Sequence, residues 1–291
     1  MAMTSGVLRR LNTKRIVPAR RRIRFGNLAV VVGVTLTVGF LSMALLADWL
    51  ALAAPFESVA EPFLSPSYRY WFGTDDLGRD VWSGVVHGTR TSLLVGFSVA
   101  GAALIIGTLI GSVAGFSGGW LDDVLMRATE LVQVMPRFFL ALVVVALFGP
   151  SLTNLVLVLA LTAWASTARL ARAGILSIKH FDFVTATRSV GVSEGRILWR
   201  HILPNALAPL IVHASLQVGS AMLTEAGLSF IGLGDPNVIS WGYLLNNAQP
   251  FMRRAWWLAL FPGGAIALAV LGVNLLGDGL TDLWNPKLRK G

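Results

Sequence analysis

A chain of 291 residues would fill about two soluble domains by length, yet 55% of it is hydrophobic, 13% is charged and its mean hydropathy is +0.67. Water-soluble domains carry roughly 25% charged residues, so this composition excludes a globule with a water-facing surface all round. The absence of cysteine excludes disulfide staples, thiolate metal sites and a cysteine nucleophile in this chain, and the net charge of +9 has to be placed along the chain before it says anything about partners.

The first 24 residues hold eight basic side chains, Arg9, Arg10, Lys14, Arg15, Arg20, Arg21, Arg22 and Arg24, and no acid. Behind them Leu28 to Ala47 is charge-free and apolar, which matches a bilayer core of about 30 Å spanned by roughly 20 helical residues. A basic cytoplasmic tail at 1–27 and a first transmembrane helix at 28–50 follow. Ala51-Leu52-Ala53 resembles a signal-peptidase site, but the apolar run exceeds the roughly 7–15 residues of a signal core, so an uncleaved anchor is expected. Residues 51–91, with Glu57, Glu61, Asp75, Asp76 and Asp80, read as an extracytoplasmic segment.

Ser92 to Leu121 is the second uncharged stretch. Its Gly107, Gly111 and Gly115 make a flat stripe on which another helix can lie closely; a helix of this chain and a helix of a partner subunit fit that stripe equally. Gly115-Phe116-Ser117-Gly118-Gly119 matches the nucleophile-elbow pattern G-x-S-x-G. That motif needs a strand before its serine, and here a membrane helix precedes it, so a turn closing the second span is expected. Phe138 to Ala168 is too long for one crossing and is split by Gly149-Pro150-Ser151-Leu152-Thr153-Asn154. The half before this turn is short, so the third span is drawn back as one helix to near Val124, with Arg127 and Glu130 one turn apart and Arg137 snorkelling to the interface. Leu203 to Thr224 and Ala255 to Gly277 complete six spans. Gln217 is the strongly polar side chain placed near mid-membrane in the fifth, with His213 about a turn below, and interhelical hydrogen bonding is expected of both.

Basic loops stay on the cytoplasmic side. The tail is therefore inside, six crossings return residues 281–291 to the same side, and the loop carrying Arg169, Arg172, Lys179, Arg188, Arg196 and Arg200 is inside as well. The positive charge orients the chain at anionic lipid and gives no footprint for nucleic acid. None of Lys14, Lys179, Lys287 and Lys290 is followed by Ser or Thr, so a P-loop ending in Gly-Lys-Ser/Thr is excluded. His87, His180, His201 and His213 have no metal-ligand spacing, and no repeated pair of midplane ionisable groups marks a secondary transporter.

Residues 179–204 are too polar to insert yet strongly patterned. Phe181 to Val190 reads as a short helix, Gly191 as its stop, Ser193 as an N-cap, and Glu194 to His201 as a second helix ended by Pro204. Exposed Phe181, Phe183 and Trp199 suit a groove on another protein; a hairpin lying on lipid fits the same pattern.

At this loop the chain resembles the importer-type ABC permeases. Gly191, Ile197 and Leu203-Pro204 keep the spacing of the loop that defines them, with Thr185-Ala186-Thr187 where Glu-Ala-Ala is usual. Phe72-Gly73-Thr74-Asp75-Asp76-Leu77-Gly78-Arg79-Asp80-Val81 is similar to the external motif of the C-type permease subunit of dipeptide, oligopeptide and nickel importers. Glu225 to Gly234, with Trp241-Gly242, and Asn274 to Leu280, with Asp282 and Pro286, resemble two further motifs of that family; Thr281 and Asn285 stand where Arg and Asp are common.

The resemblance runs from about residue 25 to residue 288. It implies an all-α integral membrane subunit of six transmembrane helices in a bacterial plasma membrane, with a type I permease core at 92–280 preceded by an extra N-terminal helix. It implies an ATPase-coupling element at Phe181, Asp182, Phe183, Thr185, Ala186, Arg188, Gly191, Glu194, Arg196, Ile197, Leu203 and Pro204. The external motif, Gly73, Thr74, Asp75, Asp76, Gly78, Arg79 and Asp80, either receives a binding protein or pins its loop to the helix ends. Implied partners are a homologous second permease, ABC ATPase subunits that hold ATP and magnesium, an extracytoplasmic substrate-binding protein and membrane lipid. No cofactor, metal or covalent chemistry is implied for this chain. The implied cargo is short peptides, with nickel or another small solute as the alternative and a secondary transporter or intramembrane hydrolase as rival classes; residues of the substrate path are not fixed.

The charge pattern predicts that cysteines introduced as Thr4→Cys and Ser193→Cys react only with membrane-permeant reagents, while Ser58→Cys reacts with impermeant ones. Labelling of Ser193→Cys from outside would reverse the orientation.

Overall fold

The computed structural model describes residues 25–284, so residues 1–24 of the basic tail, Asn285 and Pro286 lie outside the described residues, while 25–27, expected in the tail, open the first helix. Within 25–284 every regular element is helical, and extended pairing is confined to two isolated bridges, Ser58 with Arg79 and Thr74 with Asp80. The helices are α1 (Phe25–Leu45), α2 (Ala47–Leu50), α3 (Val81–Ser117), α4 (Gly119–Val134), α5 (Arg137–Phe148), α6 (Leu152–Lys179), α7 (Asp182–Ser189), α8 (Glu194–Arg196), α9 (Leu203–Phe230), α10 (Trp241–Ala248) and α11 (Trp257–Trp284), with a π-helical turn at Ile197–Ile202 between α8 and α9.

Five of these segments are long and apolar enough to cross a membrane, and the pair α4 and α5 makes a sixth when counted as one bent span. The single third helix expected from near Val124 is thus two helices at 76°. Pro136 causes the break. Its ring disfavours helical backbone at the preceding residue, and Met135 is extended at φ −71°, ψ 124°. The second span also differs from its charge-free stretch. It begins at Val81, eleven residues before Ser92, because Asp80 caps it: Oδ2 accepts the Ser83 backbone N–H at 2.8 Å and the Ser83 hydroxyl at 2.6 Å. Residues 81–91, placed in the extracytoplasmic segment, are helical. It ends at Ser117 rather than Leu121, where Gly118 and Gly119 both take positive φ, so the G-x-S-x-G pattern lies at a helix–helix corner with no strand before its serine. At the other end of the molecule α6 runs eleven residues past Ala168 to Lys179.

The most extensive packing in the bundle is α3 against α6, and the glycine stripe permits it. A Cβ on Gly111 would collide with the Ala168 carbonyl, one on Gly107 would lie 2.6 Å from the Trp164 carbonyl, and one on Gly115 would lie 2.9 Å from the Arg172 carbonyl. The stripe is therefore filled within this chain, not by a partner. Around this pair, α9 and α11 close one apolar cluster on Met222, Trp241 and Ala269, and α5 closes a second on Leu155, Leu159 and Leu228. The N-terminal α1 lies outside, packed on α11 through Gly33, Gly272 and Gly279, with Leu28, Val31, Val38 and Leu45 exposed.

Gly111→Leu should destabilise the bundle by more than the roughly 1–3 kcal/mol of an ordinary overpacked core, because the obstacle is backbone. Gly101→Leu, whose Cβ meets nothing within 4 Å, should leave thermal unfolding in detergent unchanged.

Candidate functional site

The polar loop between α6 and α9 is a helical hairpin laid against the helix ends. Val184 and Ile197 are fully buried, and together with Ile175, Leu198, Ile202 and Ala206 they form a small core that also receives Phe116, Ile178, Val192 and Leu203. Lys179 at the end of α6 donates to the Phe116 carbonyl at the end of α3 and lies over the Phe116 ring at 5.5 Å, fixing the base of the hairpin. Gly191 turns the chain at φ +81°, the left-handed region that favours glycine. Arg188 and Glu194 clamp this turn through two hydrogen bonds, Nε to Oε1 at 2.7 Å and Nη2 to Oε2 at 3.0 Å. Phe181 (53% exposed), Phe183 (41%) and Trp199 (42%) face outward, the first two in an edge-to-face pair at 6.1 Å.

Asp182, Thr185, Ala186, Arg188, Gly191, Glu194, Arg196 and Pro204 are exposed too, whereas Ile197 and partly Leu203 are turned into the small core. Two local expectations fail here. Ser193 occupies the N-cap position without a side-chain capping bond, and the second helix does not stop before Pro204. Glu194–Arg196 passes through the π-helical turn directly into α9, with Pro204 at its second residue.

The external motif forms a buried knot at the start of α3. Thr74 is fully buried; its hydroxyl accepts the Leu64 N–H at 2.8 Å and donates to the Glu61 carbonyl at 2.8 Å. Asp75 Oδ1 accepts the N–H groups of Leu77 and Arg79 at 2.9 and 2.8 Å, while burial pushes its carboxyl above the ordinary range. A side chain on Gly73 would meet the Leu64 carbonyl at 2.5 Å, and one on Gly78 would collide with the Ala60 carbonyl. The Arg79 guanidinium lies 5.3 Å over the Phe56 ring, and the Thr74 carbonyl accepts the Trp257 indole N–H of α11 at 3.2 Å. Asp76 is partly covered, and within the stretch from Gly73 to Asp80 Leu77 alone is exposed. The motif thus pins its loop to α3 and α11. The Glu225 motif also joins elements: Glu225, 1% exposed, accepts hydroxyl hydrogens from Ser229 at 2.7 Å and from Ser240, the cap of α10, at 2.8 Å.

A third feature had no counterpart in the sequence reading. Arg137 does not lie at a span end. It lines a cavity of about 600 Å³ with Phe138, with Leu216, Ser220, Thr224 and Gly227 of α9, and with Asn274 of α11. The midpoint of α9 is residue 216–217, from (203 + 230)/2, so the arginine is level with the middle and C-terminal half of that helix. A second cavity of about 440 Å³, lined by Pro209, Val212, His213 and Thr281, shares Leu216 with it. Together they follow one helical stripe of α9 from Pro209 to Gly227. Gln217 points elsewhere, donating to the Ala163 carbonyl at 3.1 Å and the Ser166 hydroxyl at 3.0 Å, with His213 Nε2 3.3 Å from that hydroxyl. These are the interhelical bonds expected. The four ion pairs among the described residues do not include Arg137, although an arginine at the centre of a lone membrane helix costs about 2.5–3.5 kcal/mol. The signal that would have found it is Pro136-Arg137, a helix breaker followed at once by a cation inside an apolar stretch.

An all-helical membrane bundle that carries a polar hairpin on one end and a capped loop on the other, with a groove along a central helix, is a transport permease subunit. The chain belongs to the family of binding-protein-dependent transport system inner membrane components, whose profile matches residues 107–290. It is 40% identical over 265 residues to the dipeptide transport system permease protein DppC of Alkalihalophilus pseudofirmus, covering 90% of this chain and 87% of that one. It is 41% identical to the di/tripeptide transport system permease protein DppC of Pseudomonas aeruginosa, with 84% of each chain covered. The fold is that of a solved type I importer permease: the MetNI methionine ABC transporter in inward-facing conformations aligns at TM-score 0.59 and 16% identity over 69% of this chain and 95% of the other.

Because no atom lies within 4 Å of a Cβ built on Gly191, its constraint is backbone conformation alone. Gly191→Val should loosen the hairpin by about 1–2 kcal/mol, read as faster amide hydrogen exchange across 182–202, whereas Gly191→Asn should preserve protection.

Proposed function

We propose that this chain is the permease subunit of an ATP-driven importer of short peptides, paired with a homologous second permease and served by an extracytoplasmic binding protein. The observation that carries the reading is the hairpin at 182–202: its own small core rigidifies it while Phe181, Phe183 and Trp199 are left for a partner. Such an element transmits force. Closure of ATPase subunits that hold ATP and magnesium moves the hairpin; the π-helical turn continues it into α9 without a joint, so the displacement reaches the groove. Alternating access follows from that lever, and no covalent chemistry occurs in this chain. The coupling contacts fall to Phe181, Asp182, Phe183, Thr185, Ala186, Arg188, Glu194 and Arg196, with Gly191 setting the turn and Ile197, Leu203 and Pro204 seating the hairpin on α9. Both termini face the cytoplasm, and the knot from Gly73 to Asp80 holds the outer loop in a fixed shape beneath the binding protein. The peptide cargo is supported by the two relatives named for dipeptide and di/tripeptide transport.

The test is reconstitution. Purified alone, the chain should neither bind nor hydrolyse ATP; with both permeases, the ATPases and the binding protein in liposomes, labelled dipeptide should accumulate with ATP turnover. Gly191→Trp should insert normally and abolish uptake and binding-protein-stimulated hydrolysis together, while Thr185→Ala should be far milder. Nucleotide turnover that tracks this polypeptide through purification, or uptake of nickel without peptide, would overturn the assignment.

A further inference from the structure

The groove along α9 has a sign. Among the residues lining its two cavities there is no Asp or Glu, and Arg137 supplies a positive charge. The break at Pro136 makes Arg137 the first residue of α5, so the positive end of that helix dipole falls at the same place. Around it stand the Ser220 and Thr224 hydroxyls and the Asn274 amide, groups that can exchange hydrogen bonds with a peptide backbone, and between them the apolar Leu216 and Leu223. The volume of about 600 Å³ lies within the range of small-ligand sites. Arg137 is partly exposed in this groove, and none of the four ion pairs among the described residues includes it.

Building on the peptide reading above, we propose that this groove is the peptide's route past the subunit and that Arg137 receives the C-terminal carboxylate of the peptide in transit. A guanidinium takes a carboxylate in a two-point, charge-assisted contact, which fixes the direction in which the peptide travels. Side chains of variable size then face the apolar part of the groove, and selectivity for the free carboxylate is independent of sequence. The same charge repels a bare divalent cation, which separates peptide from nickel as cargo.

The chain has no cysteine, so Thr224→Cys places a single thiol of this subunit in the cavity. In the complete reconstituted importer, a dipeptide should slow maleimide labelling of that thiol and its C-terminal amide should not; adding Arg137→Gln should remove the protection. In a Thr224 background, Arg137→Gln should lower the peptide imported per ATP hydrolysed about tenfold, the size expected for one lost charge-assisted hydrogen bond, and Arg137→Lys should recover most of it. Equal protection by the amide, or undiminished import per ATP in Arg137→Gln, would overturn the carboxylate site. So would a proportional fall of uptake and hydrolysis in both the Gln and Lys variants, which marks a structural arginine. Failure of the wild-type importer to take up any peptide would instead remove the peptide reading, and this proposal with it.

Discussion

The approach of α3 to α6 sets the dimensions of everything else in this chain. Within a bilayer the hydrophobic effect gives helices no reason to prefer one another over lipid, so close packing must supply the attraction. Gly107, Gly111 and Gly115 let the α3 backbone settle onto the Trp164–Arg172 stretch of α6 at a distance no side chain would allow. With that pair fixed, α9 is positioned on both: Gly96 of α3 accepts Met222 and Val218, and Gln217 reaches the Ala163 carbonyl of α6. α11 then closes on α9, where Gly219 faces Asn274 and Val270. At each of these crossings a glycine or a polar side chain replaces the bulk that would hold the helices apart.

Polar groups at the two ends of the bundle finish what the glycines begin. At the end that carries the Gly73–Asp80 loop, indole N–H groups span separate elements: Trp82 reaches Leu50, Trp241 reaches Val85, and Trp257 reaches Thr74. A buried donor left without an acceptor costs about 1–3 kcal/mol, so the two buried bonds, from Trp241 and Trp257, each fix a loop or helix end in one register. At the hairpin end, Arg172 meets both carboxylate oxygens of Asp122 at 2.6 Å and ties α6 to α4, while Lys179 ties α6 to α3. The hairpin at 182–202 is therefore mounted on helix ends that are tied to one another.

The break between α4 and α5 serves the opposite purpose. A continuous helix from Val124 to Phe148 would have held Arg137 near its middle, on one unbroken crossing. Pro136 turns the chain by 76° and delivers the arginine to the side of α9 instead. One residue that cannot donate a backbone hydrogen bond thus converts a crossing helix into two segments and opens a polar pocket in an apolar bundle.

The sequence by itself determined the membrane class, the positions of the apolar runs, the turn at Gly191 and the family, because those follow from local quantities: run length, charge placement, and residues such as Gly73, Thr74 and Asp75 whose spacing is short-range. It also marked the glycine stripe on α3. Which surface filled that stripe, where Arg137 pointed and which face of α9 lined a groove were settled only in three dimensions. α9 is apolar nearly all round, so no periodicity distinguishes the stripe from Pro209 to Gly227 from its other faces. Ile197, read as part of a docking surface, is buried against Ile175 and Ala206 for the same reason. A side chain's direction depends on the angle at which its helix meets the next one, and that angle is fixed by contacts between residues far apart in the chain.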